Sequence, residues 1–183
     1  MKKIYIEGEN NPVLRAAFSK LLEQEFKGKM PRIVLGNGIS QTIDKFRTFP
    51  LEDGEERYLL IDSDEPLIDK LQLISKVNEE KCNGKNSIVD ADVKNTFFMV
   101  QEVEAWILSQ PAALNKCGVV KGLPVSNIEQ IKKPSEKLYA IYELNGKTYH
   151  KIKELSKVFM HLDSKQLKST SSEYRALINA ISK

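Results

Sequence analysis

The feature that most constrains this chain is the run Arg57-Tyr58-Leu59-Leu60-Ile61-Asp62-Ser63-Asp64-Glu65, in which large apolar side chains give way abruptly to carboxylates. Tyr58 to Ile61 is apolar on both faces of a pleat, which predicts a short strand covered on both sides by helices, as in parallel sheets. The carboxylates then fall at the strand's C-terminal end, the edge where open α/β sheets bind ligands. Asp62 and Asp64 stand two apart, so while the chain stays extended their side chains leave the same face. Two carboxylates on one face repel unless a cation lies between them, and hard divalent cations favour carboxylate oxygen. The same residues also suit a solvated acidic turn, because Asp-Ser-Asp-Glu-Pro supplies an N-cap and a proline for the first turn of a helix.

The flanking pattern fits an α/β fold. Lys3 to Ile6 alternates as a strand and ends at Glu7-Gly8. Asn11-Pro12 caps a helix over about 12–26, marked by Leu14, Phe18, Leu21, Leu22 and Phe26. Arg32 to Leu35 is a second strand, ended by Gly36-Asn37-Gly38. Ser40 opens a helix with Ile43 and Phe46 that closes near Pro50, and 51–56 is an acidic loop. After the strand at 58–61, Leu67, Leu71, Ile74 and Val77 mark a helix to about residue 80. Residues 81–94 read as a loop, Thr96 to Val100 as a fourth strand, and Gln101 to Gln110 as a helix closed by Pro111. This βα alternation predicts a Rossmann-like, mostly parallel four-stranded sheet flanked by helices, over residues 1–110. Residues 111–183 read as a helical extension packed on it. In it 111–133 is loop-rich, Pro134 opens one helix, Ile152 to Leu162 forms the next, and Ser171 or Ser172 caps the last.

Charge divides along the same line. Residues 1–110 carry 15 Lys and Arg against 19 Asp and Glu, a net −4; residues 111–183 carry 13 against 6, a net +7. An acidic half able to hold metal thus adjoins a basic half able to hold a polyanion, although scattered lysines also serve solubility. No apolar run approaches the ~20 residues of a membrane span. The apolar stretch at the N-terminus is too short for a signal peptide. Cys82 and Cys117 are isolated, without metal-ligand spacing or a disulfide framework. The expectation is a reduced, cytoplasmic protein with no membrane attachment.

Glu7 also ends a strand. If the first and third strands are neighbours, Glu7 faces Asp62 and Asp64 across one sheet edge, and three converging acids make a site for Mg²⁺ or Mn²⁺. Glu7-Gly8 after the first strand and Asp62-Ser63-Asp64 after the third resemble the Toprim pattern of topoisomerases, DnaG-type primases and a class of nucleases. The resemblance covers about the first 105 residues. A narrower one lies further on: Met99-Val100-Gln101-Glu102-Val103-Glu104-Ala105-Trp106, with Lys133-Pro134 and the serine-rich 169–172, looks like a Toprim-related family catalogued as domain-of-unknown-function family 4276. That resemblance implies a prokaryotic protein of phage-defence settings, encoded beside an ABC/OLD-type ATPase. It also implies a role for Glu104.

Geometry leaves Glu102 and Glu104 as alternatives. Successive helical residues turn by about 100°, so the two share a metal site only if the chain is still extended at 101–104. If a helix begins at once, only one of them faces the strand edge. Either glutamate also suits a first helical turn, where the macrodipole favours negative charge. Lys132 and Lys133, just before Pro134, are candidates for nucleic-acid phosphate, held by the side chains and the following helix N-terminus, or for an ordinary solvated loop. His150 and His161 lie on polar helix faces, and Ser63 has no base beside it in sequence, so none of the three is expected to act in catalysis. A receiver domain would place its acid pair after the first strand, not the third. Primase or topoisomerase activity needs further domains.

The expectation from sequence is therefore a Mg²⁺- or Mn²⁺-dependent phosphodiesterase of nucleic acid. Glu7, Asp62, Asp64 and Glu104 are its catalytic candidates, and Glu7, Asp62, Asp64 and Glu102 its metal candidates. The rival is a non-catalytic Toprim-fold partner or sensor that docks on the ATPase. The helical C-terminal region offers a surface for a second chain, a homodimer included.

Overall fold

A computed structural model describes residues 1–67, 69–82, 86–123, 129 and 131–183. Strands β1 (Lys2–Ile6), β2 (Arg32–Leu35), β3 (Glu56–Asp62) and β4 (Thr96–Met99) form one sheet in the order β2-β1-β3-β4, with every pairing parallel. Ile6 stands opposite both Leu35 and Leu60, and Asp62 opposite Met99.

Alternate residues of each strand feed two separate cores, because both faces are covered. Tyr5, Leu59, Ile61 and Phe98 point to one face, under α2 (Ile39–Thr48) and α3 (Lys70–Lys81). Ile4, Ile6, Leu60, Phe97 and Met99 point to the other, under α1 (Pro12–Glu23) and the helices that follow β4. Those are α4 (Glu104–Leu108), α5 (Pro111–Lys116), α6 (Pro134–Leu144), α7 (Lys151–Phe159), α8 (Ser164–Thr170) and α9 (Ser172–Ser182). Among the described residues the helical region has no core of its own: one hydrophobic cluster runs from Ile4 through Trp106 and Leu155 to Ile181. Trp106 is its hinge point, stacked on Phe159 at 6.2 Å and edge-on to Tyr174 at 5.0 Å, while Phe159 meets Phe18 of α1 at 4.8 Å.

The region beyond α4 also closes a sheet edge. Glu173, at the start of α9, accepts the Phe98 backbone N–H at 3.0 Å, which satisfies a donor that an edge strand would leave to pairing with another chain. Among the described residues no helix is long and apolar enough to cross a membrane.

Several boundaries differ from the sequence pattern, each for a local reason. Helix α1 ends at Glu23 rather than near Phe26. Gly38 caps α2 in place of Ser40, and α3 starts at Lys70 because the Asp69 side chain accepts the Leu71 and Gln72 N–H groups. A 3-10 turn spans Asp90–Asn95 within the expected loop. Residues 111–116, expected as loop, form α5, which Pro111 opens and two alanines and a leucine sustain. The helix expected over 152–162 stops at Phe159, and Asp163 caps the separate helix α8. The helix expected from Gln101 begins only at Glu104, because Gln101 has a left-handed backbone with φ 66°.

Trp106→Ala removes the contact that joins the two parts of this core. The expected loss is about 3–5 kcal/mol of stability. Urea unfolding followed by far-UV circular dichroism and by tyrosine fluorescence should still show a single coincident transition, since the described helical residues share their core with one face of the sheet.

Candidate active site

The strand order reverses between β1 and β3. Helix α1 leaves β1 towards one face and α3 leaves β3 towards the other, so a crevice opens above the C-terminal ends of these two strands. Glu7 and Asp62 stand at its base. The Glu7 N–H donates to the Leu60 carbonyl at 2.9 Å, extending the β1–β3 ladder by one step, and Glu7 Oε2 accepts the Asp62 N–H at 2.9 Å. Asp62 Oδ1 in turn accepts the Val103 N–H at 3.0 Å. Both carboxylates are half-buried and line a cavity of about 490 Å³. The Asn37-Gly38 turn lines it too. The chain there packs tightly, since a Cβ on Gly36 would lie 1.8 Å from Thr42 Oγ1.

Lys151 supplies a cation to this cavity and Glu9 a further carboxylate, and the sequence reading singled out neither. It opens α7, and its Nζ lies 3.1 Å from Glu104 Oε1. Glu104 itself is fully buried behind Lys151. It also accepts the Tyr149 hydroxyl at 3.3 Å, and its Oε2 has no partner among the described residues. No local motif marks Lys151: only the packing of α7 against α1 and α4 brings its ammonium over the strand ends. A basic residue opening an amphipathic helix in an otherwise basic half is the nearest thing to a signal.

The electrostatics of the cluster follow from burial of like charges. Burial pushes the Glu7 carboxyl up to about 7, opposed by the hydrogen bond from the Asp62 backbone and helped by Asp64. Burial first, and then Glu7 and Glu104, raise Asp62 well above the ordinary range. Burial pulls the Lys151 ammonium down, but Glu104 foremost, with Asp62 and Glu102, outweighs it and leaves the ammonium raised. A charged lysine beside carboxyls raised by burial is an arrangement that a phosphate or a cation would alter strongly.

The other expected residues fall elsewhere. Asp64 does not share a face with Asp62, because its own backbone is left-handed, φ 56°, and the extended geometry assumed for the pair breaks at that residue. Its side chain is largely exposed and pairs with Lys81 at 3.3 Å; with Glu7 it lines a second recess, which shares the Asn37-Gly38 turn with the first cavity. The turn is held from the β4 side. The Asp64 N–H donates to the Gln101 carbonyl at 2.8 Å and the Gln101 N–H to Ser63 Oγ at 2.7 Å, so Ser63 is a strut between two strand ends. Strain at the two facing residues Asp64 and Gln101 is of the kind that clusters at functional sites.

Glu102 turns away from this cavity. Its Oε2 accepts the Ser135 N–H at 2.7 Å, so it caps α6. That carboxylate occupies the helix N-terminus to which Lys132 and Lys133 were expected to bring a phosphate. Lys132 is exposed, and Lys133 pairs with Glu136 at 2.6 Å at a left-handed position. His150 and His161 are both exposed.

Among the described residues, no three carboxylates, histidines or cysteines converge closely enough to hold a metal ion by themselves. The oxygen donors of Glu7 and Asp62 suit Mg²⁺, which keeps several waters and commonly takes one or two carboxylates together with substrate phosphate. The fold and cavity define a parallel α/β protein with an acidic switch-point site. Compared with protein-family models, curated proteins and solved structures, the chain gives no match.

Two outcomes test this description. The Glu7 carboxyl is raised in the folded state, so the fold binds an extra proton between about pH 4.5 and 7, and stability is present below that window and lost as pH rises through it. Glu7→Gln, which keeps the acceptor for the Asp62 N–H, should remove that part of the loss and raise the melting temperature at pH 8 by ~5 °C, with little change at pH 5. Glu102→Ala should cost about 1 kcal/mol through the lost α6 cap in urea titrations, while leaving any Mg²⁺-dependent stabilisation as in the wild type.

Proposed function

We propose that this protein is a Toprim-like, Mg²⁺- or Mn²⁺-dependent phosphodiesterase acting on nucleic acid. One observation carries the reading: Glu7 and Asp62, at the ends of neighbouring parallel strands, line one cavity with Lys151, and burial raises both carboxyls above the ordinary range. The strand order and the placement of Glu7-Gly8 and Asp62 at adjacent strand ends support the Toprim-like resemblance. That resemblance extends the proposal to an effector acting beside an ABC/OLD-type ATPase in phage defence.

Glu7 and Asp62 would hold the divalent ion, with water and the substrate phosphate completing its ligand set. A bound ion would supply charge to the scissile phosphate and lower the pKa of an attacking water. Lys151 faces the same cavity and would meet a non-bridging phosphate oxygen, with Glu104 as its positioning residue. Glu104 keeps the ammonium charged and aimed, at 3.1 Å. Asp64, in the second recess, would act on the approach to the site rather than within the ion's first shell. Both carboxylates must lose their protons to bind metal, so affinity should rise with pH through neutrality.

The test is cleavage of plasmid, single-stranded DNA and tRNA with Mg²⁺, with Mn²⁺ and with EDTA. Wild-type cleavage should require metal, and Asp62→Asn, which keeps the acceptor for the Val103 N–H, should lower it by roughly 100-fold or more. Mg²⁺ should also raise the wild-type melting temperature, more at pH 8 than at pH 6, and the variant should lose that shift. A well-folded wild type with neither cleavage nor a Mg²⁺ shift would sink the metal-site reading and favour a non-catalytic partner of the ATPase.

A further inference from the structure

The cavity over Glu7 and Asp62 has two unlike walls. Glu7, Glu9, Asn37, Asp62 and Lys151 form the polar one. Leu14, Phe18, Val103, Ile152 and Leu155 form the other, which carries no charge. At about 490 Å³ it falls in the size class of small-ligand pockets. A phosphodiester in a stacked duplex presents only sugar and phosphate to a protein, so an apolar recess beside the acids has nothing to hold there. An unpaired nucleotide does bring something to such a recess, namely its base.

Another recess, of about 690 Å³ and distinct from the one at Asp64, shares Lys151 and Ile152 with this cavity. It runs along α7, where His150, Lys153 and Lys157 are exposed. Lys153 and Lys157 are one helical turn apart and so lie on one face. Lys157 is shared with Glu154 at 2.7 Å, whereas Lys153 points its charge to solvent from the same stripe. Val13 and Met160 supply apolar ground in the same recess. This is the combination that proteins binding single strands use, a cationic track for the backbone beside apolar surface for bases. The track is in the half of the chain with the net charge of +7, 13 Lys and Arg against 6 Asp and Glu.

We infer that the site takes single-stranded nucleic acid, with one unpaired base in the Leu14–Phe18–Leu155 recess, its phosphate at Lys151, and the adjoining backbone along Lys153 and Lys157 of α7. This rests on the phosphodiesterase reading of Glu7 and Asp62 and names its substrate class. A duplex would have to unstack and unpair a nucleotide to fill the recess, which disfavours it. The backbone track engages few phosphates, so binding should be salt-dependent with a shallow slope.

The experiment is fluorescence anisotropy with the full chain in Ca²⁺ and end-labelled 12-mers. The probes are a DNA strand, an RNA strand, the DNA duplex, and each single strand with its central bases removed. The intact strand should bind roughly tenfold tighter than its base-free counterpart and tighter than the duplex, and the DNA and RNA arms name the natural sugar. Lys153→Glu with Lys157→Glu should reduce the salt slope by about 1 while the preference for intact bases persists. Equal binding of intact and base-free strands, duplex binding as tight as single-strand binding, or no binding of any strand would overturn the inference. Cleavage of the same probes in Mg²⁺ separates it from the reading beneath it. Duplex cleavage without base dependence overturns the single-strand site and keeps the nuclease. Base-dependent binding without cleavage by the wild type overturns the nuclease and keeps the strand site.

Discussion

The structure depends on the pairing of β1 with β3 at the point where the strand order turns back. Because β1 lies between β2 and β3, its helix α1 goes to one face and α3, after β3, goes to the other. Neither α1 nor α3 then covers the C-terminal ends of the two central strands, and the backbone groups there must find other partners. Glu7 and Asp62 meet that need with their own carboxylates, accepting the Asp62 and Val103 N–H groups. The hydrogen bonds that finish the sheet therefore also fix the acids, and the site is as rigid as the ladder it ends.

Placing two carboxylates in that position has a cost, which the rest of the chain offsets only in part. Burial raises both above their ordinary range. The one cation lining the cavity, Lys151, is committed mainly to Glu104. The proposed divalent ion would relieve this residual imbalance. The helical region is part of the same device. It supplies Lys151 and Tyr149, buries Glu104, covers one face of the sheet and satisfies the β4 edge through Glu173. Dividing the chain at residue 110 describes its composition and its charge, not its packing.

The outline of the fold was legible because its signals are local. Apolar runs ending in Glu7 and in Asp62, helical spacings from Leu14 to Leu22, and the Asn11-Pro12 cap each lie within one element and stand where the pattern predicted, and of the two serines offered for the last cap Ser171 takes it. The ends of elements were less legible where a distant partner sets them. Gln101 is pulled out of helical geometry by Ser63 and Asp64, residues of another strand, so the start of α4 could not be read from 101–108.

The same distinction runs through the site. Sequence by itself determined that Glu7 and Asp62 end parallel strands, because strand termini follow from apolar pattern and turn residues. Only the tertiary structure decided which acids share a cavity. Asp64 leaves through a left-handed turn, Glu102 is drawn off to cap α6, and Glu104 is buried behind Lys151. Residue spacing predicts neighbours only while the backbone stays regular, and here it departs from regularity at Asp64 and Gln101. Lys151 reaches the strand ends through helix packing, to which local periodicity is blind.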